Sequence, residues 1–236
     1  MLMHTTMAPE SATINSVFGI GLQAELQNRL HETSSLHYLG AHEMVFMEGD
    51  DNENVYEVVE GVVILSKLTA DGRRQVTGFV YPGQLFGVSL GDSSGYTAET
   101  VTAVRLRRYP YQSLDQSMDL YPSLGRRFLR WTSNELVAAQ NQMLLLGRKS
   151  AMEKLASFLL HLSERSEAQD RDPARLFVPM TRGDIADYLG LTTETVSRTI
   201  SRFRQLGIIE LRERGYIHVC DFDRLTDFAE DEGCLH

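Results

Sequence analysis

Cysteine is nearly absent from this chain of 236 residues: only Cys220 and Cys234 occur, both close to its end. Two thiols are too few for a disulfide framework or a four-thiolate metal site. They read as ordinary single thiols, with oxidation of Cys234 near a chain end left open as a redox role. No run of about 18 consecutive apolar residues exists, so no membrane-spanning helix is expected. The opening MLMHTTMAPESATINS has neither a basic start nor an apolar signal core, which predicts a cytoplasmic protein. The β-rich first half has no H-x-H or H-x-D/E pair, and His42-Glu43 is adjacent rather than spaced for one face of a strand. The 2-His-1-carboxylate set of a metal-dependent oxygenase is therefore missing, and neither a catalytic residue nor a bound metal is expected.

Positive charge is also scarce, with 23 Lys+Arg against 32 Asp+Glu and a net charge of −9. That balance argues against a polyanion partner until it is divided along the chain, because phosphate affinity follows local charge. Residues 1–120 hold 7 basic against 15 acidic groups, residues 121–220 hold 15 against 11, and residues 221–236 hold 1 against 6. A polyanion site is to be sought in the middle-to-late segment.

What is present falls into three stretches. From about Ser35 to Tyr109, short β-branched and aromatic runs alternate with Gly, Asp and Pro, the mark of a β-sandwich or jelly-roll-like barrel. Gly61 stands where a turn between strands needs a permissive backbone, and Asp71-Gly72 marks a second hairpin. After Pro122 the pattern turns helical to about Arg148. Within it Leu129, Thr132, Leu136, Ala139, Met143 and Leu146 recur at spacings of 3 and 4, a heptad seam. Such a stripe faces either a twin helix or the protein's own core. The narrow Thr132 and Ala139 favour a twin, while Phe128 and Trp131, off to one side, are free to pack on the β-domain. A second amphipathic helix covers Ser150 to Glu164, with Leu155, Phe158, Leu159 and Leu162 inward, and the polar SERSEAQDRDPAR reads as a solvated loop.

The strongest local pattern runs from Val178 to Arg214. Thr181 with Asp184 three residues on is an acidic variant of the capping box, opening a helix that presents Ile185, Tyr188 and Leu189. Gly190 ends it and turns the chain sharply into a second helix from Thr192 or Thr193. That helix keeps Val196, Ile200 and Phe203 inward and turns Thr193, Glu194, Ser197, Arg198, Thr199 and Arg202 outward. Arg can pair bidentately with guanine, Glu accepts from cytosine N4, and Ser or Thr serves either role, so the face suits a major groove. Leu206 to Ile209, the turn Glu213-Arg214-Gly215 and the return from Tyr216 to Val219 complete a winged helix-turn-helix, whose hairpin can touch the backbone. Thr181 and Arg182, at the start of the first helix, join the candidate DNA contacts.

The order of β-roll, long helix and winged helix-turn-helix covers nearly the whole chain. With EGDDNENVYEVVEGVVILSK, YPGQLFG and TRGDIADYLGLTTETVSRTISRF, it resembles the CRP/FNR superfamily of transcription regulators. Glu194-Thr195-Val196-Ser197-Arg198 is similar to the E-x-x-S-R pattern of the FNR and FixK branch. The resemblance implies readout of a TTGA/TCAA-type palindrome by Glu194, Ser197 and Arg198, with Thr193 tuning preference within the half-site. It implies a homodimer that sets two reading helices one DNA turn apart, roughly 34 Å. It also implies an activator that contacts RNA polymerase, for which acidic Asp50, Asp51 and Glu53 offer a patch or merely a solvated turn.

The expected fold is α+β. An N-terminal double-stranded β-helix, a cyclic-nucleotide-binding-like jelly roll with a helical segment at its start, occupies residues 1–120. A long dimerisation helix follows over 121–148, and the winged helix-turn-helix fills 149–236.

In the nucleotide-binding members of the superfamily a Glu after F/I-G holds the ribose and an Arg-Ser/Thr-Ala run holds the phosphate. Here those places carry Val88 and Tyr96-Thr97-Ala98, so a cyclic phosphate would lose its charge-assisted partner and cAMP is not expected. Arg105, Arg107 and Arg108 read as a solvated strand edge rather than substitutes. Residues 1–219 contain no cysteine, against the four ligands of an iron-sulfur sensor. No cofactor is expected, and the FixK-like resemblance implies control by abundance or modification. The alternative is a β-roll that binds an unidentified effector, or haem through His31, His37 or His42.

Overall fold

The computed structural model describes residues 24–51, 53–88, 93–167 and 171–230. A first helix, α1 (Ala24–Thr33), leads into two four-stranded antiparallel sheets. One has the order β1 (Ser35–Leu39), β8 (Val104–Pro110), β3 (Asn54–Glu60), β6 (Leu85–Phe86). The other has the order β2 (Met44–Phe46), β7 (Thr97–Thr100), β4 (Val63–Leu68), β5 (Arg74–Val80). Alternation of side chains along these strands turns Phe46, Val58, Val63, Val80, Phe86, Ala98, Val104 and Leu106 into one buried cluster between the sheets.

Turn chemistry fixes the register. Gly61 joins β3 to β4 at φ +86°, and a Cβ there would stand 2.3 Å from the Ala103 carbonyl oxygen, so only glycine fits. Gly72 takes φ +79° between β4 and β5, where Thr69 N–H bonds Arg73 O at 2.9 Å. The expected solvated edge at Arg105 to Arg108 is not what forms. β8 lies inside its sheet, flanked by β1 and β3, and the Nε atoms of Arg105 and Arg108 are buried. The misreading came from charge: basic residues in a strand suggest an edge, but long aliphatic stems let arginine lie along a central one.

The roll is closed by helices. α2 (Tyr111–Leu120) and α3 (Pro122–Arg148) follow β8, and proline at the first turn of α3 costs no hydrogen bond. Leu124, Phe128 and Trp131 of α3 pack with Leu26, Leu30, Val55, Leu85, Tyr109 and Leu114, so the base of the long helix is fixed to the roll. At 27 residues α3 is about 40 Å long.

The last third comprises α4 (Ala151–Glu167), β9 (Arg175–Phe177), α5 (Arg182–Leu189), α6 (Thr193–Gln205), β10 (Ile209–Glu210), β11 (Tyr216–Val219) and α7 (Phe222–Glu230). α4 runs three residues beyond the expected Glu164, so the start of the presumed loop is helical; residues 168–170 of that loop lie outside the described residues. Leu155, Phe158, Leu159 and Leu162 share a core with Ile185, Leu189, Val196, Ile200, Phe203, Ile217 and Leu225. Val62, Ile64, Val76, Tyr81 and Val101 of the roll belong to the same core, so the two halves of the chain are packed together. No helix among the described residues is long and apolar enough to cross a membrane.

Candidate nucleic-acid interface

α5 begins with Thr181 as N-cap in extended conformation. Its hydroxyl accepts from Asp184 N–H at 3.1 Å, and the Asp184 carboxylate accepts from Thr181 N–H at 2.9 Å, the reciprocal capping box that the sequence predicts. Gly190 ends the helix in the left-handed region at φ 60°, ψ 44°. Two residues later Thr192 caps α6 by accepting Thr195 N–H at 3.2 Å. These two caps set the angle between the helices, and Ile185, Leu189, Val196, Ile200 and Phe203 lock it from within.

The same packing decides which side of α6 is free. Thr193, Glu194, Ser197, Arg198 and Arg202 are all exposed. Thr199 is not: it is 6% exposed, and its hydroxyl bonds the Thr195 carbonyl at 2.9 Å. Three residues after Val196 and four before Phe203, it belongs to the inner face, and its expected outward role is withdrawn. Thr181 is exposed and Arg182 half-buried at the start of α5. Ser201 and Gln205, four and seven residues after Ser197 and Arg198, line the same shallow surface as Ser197, Arg198 and Arg202. Helical spacing alone would have added them to the sequence-derived set.

The wing is a three-stranded sheet of order β10-β11-β9, the third strand being one the sequence reading missed. Arg175 pairs with Glu213 at 2.6 Å and lies over the Tyr216 ring, and Arg212 pairs with Glu210 at 2.6 Å. Arg214 at the turn is exposed and forms no ion pair among the described residues, leaving a free cation at the wing tip.

The dimer candidates of α3 divide into two groups. Leu129, Leu136 and Met143 are 71%, 61% and 68% exposed, and Thr132 and Ala139 are exposed beside them. Leu146 is half-buried, turned toward Gly190 of its own chain. Val137 and Leu144, absent from the expected seam, are also exposed, about 100° round the helix from Leu136 and Met143.

Inside the roll, aromatic side chains gather around Tyr96, one of the residues at the place expected to lack a nucleotide's partners. Phe46, Tyr56, Phe86 and Tyr96 pack with ring centroids 5.2 to 6.0 Å apart, Phe86 stacked on Phe46 and Tyr56 and the other pairs tilted. Gly87 N–H donates to the Tyr96 hydroxyl at 2.7 Å, and burial pushes that phenol up to about 12. Val88 packs into the cluster beneath α2 and α3. His31 lies on α1, His37 on β1, and His42 in a turn at φ 62° beside Glu99. Asp50 closes a turn by accepting Met47 N–H at 2.8 Å. No group of three or more metal-binding side chains forms among the described residues. Desolvation and the Glu210 charge push the Cys220 thiol up, away from reactive thiolate character; Cys234 lies outside the described residues.

Comparison with known proteins agrees with this architecture. Residues 153–228 match the Crp-like helix-turn-helix domain and residues 36–121 the cyclic nucleotide-binding domain. The chain is 40% identical over 192 residues to the nitrogen fixation regulation protein FixK of Bradyrhizobium diazoefficiens, covering 81% of each. The chain belongs to the CRP/FNR superfamily of transcription regulators, on its FixK-like side. Another CRP/FNR relative, the transcriptional activator protein FnrL of Cereibacter sphaeroides, is 36% identical over 196 residues, 81% of this chain and 79% of that one. The solved structure of FixK2 from Bradyrhizobium japonicum superposes with a TM-score of 0.78 at 36% identity, covering 83% of this chain and 96% of that chain. These CRP/FNR relatives are regulators and not enzymes, and the helix-turn-helix is the shared DNA-binding unit.

Proposed function

We propose that this CRP/FNR regulator works as a homodimer that reads an inverted repeat of the TTGA/TCAA type. It activates transcription in contact with RNA polymerase, without cAMP or an iron-sulfur cluster. The observation that carries the reading is the two-sidedness of α6. Val196, Thr199, Ile200 and Phe203 are buried, while Glu194, Ser197, Arg198 and Arg202 form an exposed face of base-edge readers and phosphate ligands. Thr193 flanks the readers, and Thr181, Arg182 and the wing's Arg214 stand where backbone phosphates would pass.

Dimerisation is supported by the apolar side of α3. Leu129, Leu136, Val137, Met143 and Leu144 leave a long stripe in water that one chain does not cover. A ligand-independent roll is supported by the four rings that occupy its interior and by the absence of an arginine at Tyr96-Thr97-Ala98. Activation is supported by the naming of relatives such as FnrL as transcriptional activators.

Selection of bound sites from random duplex DNA, followed by transcription with purified polymerase, tests the proposal. An inverted repeat is expected to emerge, and the protein alone should raise transcription from a promoter carrying it. Equal binding to selected and scrambled duplex at moderate salt would remove the reading.

A further inference from the structure

The β-roll reaches across to the DNA-binding half through one arginine. Asp184 and Asp187, three residues apart, share the flank of α5 that faces β5. Arg74, the first residue of β5, engages both. Its Nε donates to Asp187 Oδ2 at 2.9 Å and its Nη2 to Asp184 Oδ1. Gln75 adds a bond from Nε2 to the Asp187 carbonyl at 2.6 Å, so the helix backbone is held as well. Beside this clasp the Phe79 ring lies 5.2 Å from Tyr188 of α5 and 6.2 Å from Phe158 of α4. The Asp184 side chain is 14% exposed and those of Arg74 and Asp187 are each 34% exposed, so the pairs are only partly screened by water.

The clasp does not block DNA, because it grips α5 and leaves the outer face of α6 in solvent. Its electrostatic effect favours binding. The amino end of a helix attracts phosphate through its free N–H groups and dipole, and Asp184 sits in that first turn. Asp187 lies on the next turn. Without Arg74, the two carboxylates would oppose the attraction that the first turn of α5 and Arg182 offer to phosphate.

We propose that Arg74 is a positioning residue for DNA reading: supplied by the β-roll, it holds α5 in one attitude and offsets half of the negative charge of Asp184 and Asp187 that would repel DNA phosphates. The inference rests on the α6 reading proposed above. It gives the β-roll a task in DNA affinity that needs no ligand.

The test uses full-length protein and fluorescence anisotropy on the selected inverted repeat and on scrambled duplex. Wild type is compared with Arg74→Gln, which removes the charge and keeps a shorter polar side chain, with Asp187→Asn, and with the double variant. Arg74→Gln is expected to weaken binding about tenfold, and Asp187→Asn alone to stay within about twofold of wild type. The double variant is expected to regain at least half of the lost decade, because removing one carboxylate returns the clasp to its original net charge. A clasp with a merely structural role would leave the double no better than Arg74→Gln. The proposal falls if Arg74→Gln binds like wild type or if the double shows no recovery. Failure of the α6 reading is separately visible, since wild type itself would then not prefer the inverted repeat.

Discussion

Tyr109 donates its hydroxyl to Glu57 Oε2 at 2.8 Å, with the two residues 2% and 4% exposed beneath the base of α3. The roll thus carries a buried carboxylate whose solvation is supplied by a phenol one strand away. Burial and the Glu57 charge both push the Tyr109 phenol far up, so the donor stays protonated. Tyr109→Phe keeps the ring and removes the donor, and is expected to cost about 1 to 3 kcal/mol in chemical denaturation. An unchanged unfolding midpoint would show that Glu57 is satisfied otherwise.

Gly61 and Gly72 separate two kinds of glycine requirement. Both have positive φ, but a Cβ at Gly72 meets nothing within 4 Å, whereas one at Gly61 runs into the Ala103 carbonyl. Gly72→Ala is expected to lose about 1 to 2 kcal/mol from backbone strain alone, and Gly61→Ala distinctly more. Equal losses for the two variants would contradict the close approach at Gly61.

For the dimer, Leu136→Glu is the sharpest probe, since that side chain is largely exposed in one chain and central to the stripe. Placing a carboxylate there should make the protein monomeric in sedimentation, because an unpaired charge is costly to bury. A variant that still sediments as a dimer would move the interface elsewhere.

Arg198 and Arg202 should fail differently. Arg198→Ala is expected to cost about 1 to 3 kcal/mol on the inverted repeat and to relax preference at one base, and Arg202→Ala to weaken every duplex alike. Competition titrations on specific and random DNA distinguish them. Equal loss on both DNAs for Arg198→Ala would assign it to phosphate.

Acid should loosen the clasp in a defined direction. Burial raises the Asp184 carboxyl, but hydrogen bonds from Thr181 and Arg74 outweigh it and hold the group below its ordinary 3.8. A lowered folded-state value means that the stabilisation is complete above 3.8 and is lost as pH falls through the depressed value. The difference in melting temperature between wild type and Asp184→Asn is expected to be constant near neutrality and to shrink below 3.8. A gap that persists at the lowest pH would contradict this assignment.

Much of this molecule could be read from residue order, and the failures have a common origin. The caps at Thr181 and Gly190 and the inward Val196, Ile200 and Phe203 are local devices, so helix-turn-helix geometry was legible. The same holds for the turns at Gly61 and Gly72. What escaped depends on partners distant in sequence. β9 is a three-residue strand that exists because β11 pairs with it, and α7 sets Phe222, Leu225, Phe228 and Ala229 against the core that α4 shares. α2 is only ten residues between Pro110 and Pro122, and its inner face, Tyr111, Leu114 and Met118, is set by packing on α1 and α3. Thr199 was misplaced because a hydroxyl suggests solvent, while its spacing to Val196 and Phe203 dictates the core. Arg74 carries no motif, and its meeting with α5 is set by tertiary packing across 110 residues.

One consequence follows from α3 being a single unbroken rod. Trp131 near one end is wedged into the roll, and near the other Gln142 holds the Tyr188 carbonyl at 3.0 Å while Leu146 abuts Gly190. The roll and the reading head therefore share one rigid element, and the attitude of one relative to the other is held by backbone hydrogen bonds along the shaft as well as by side chains.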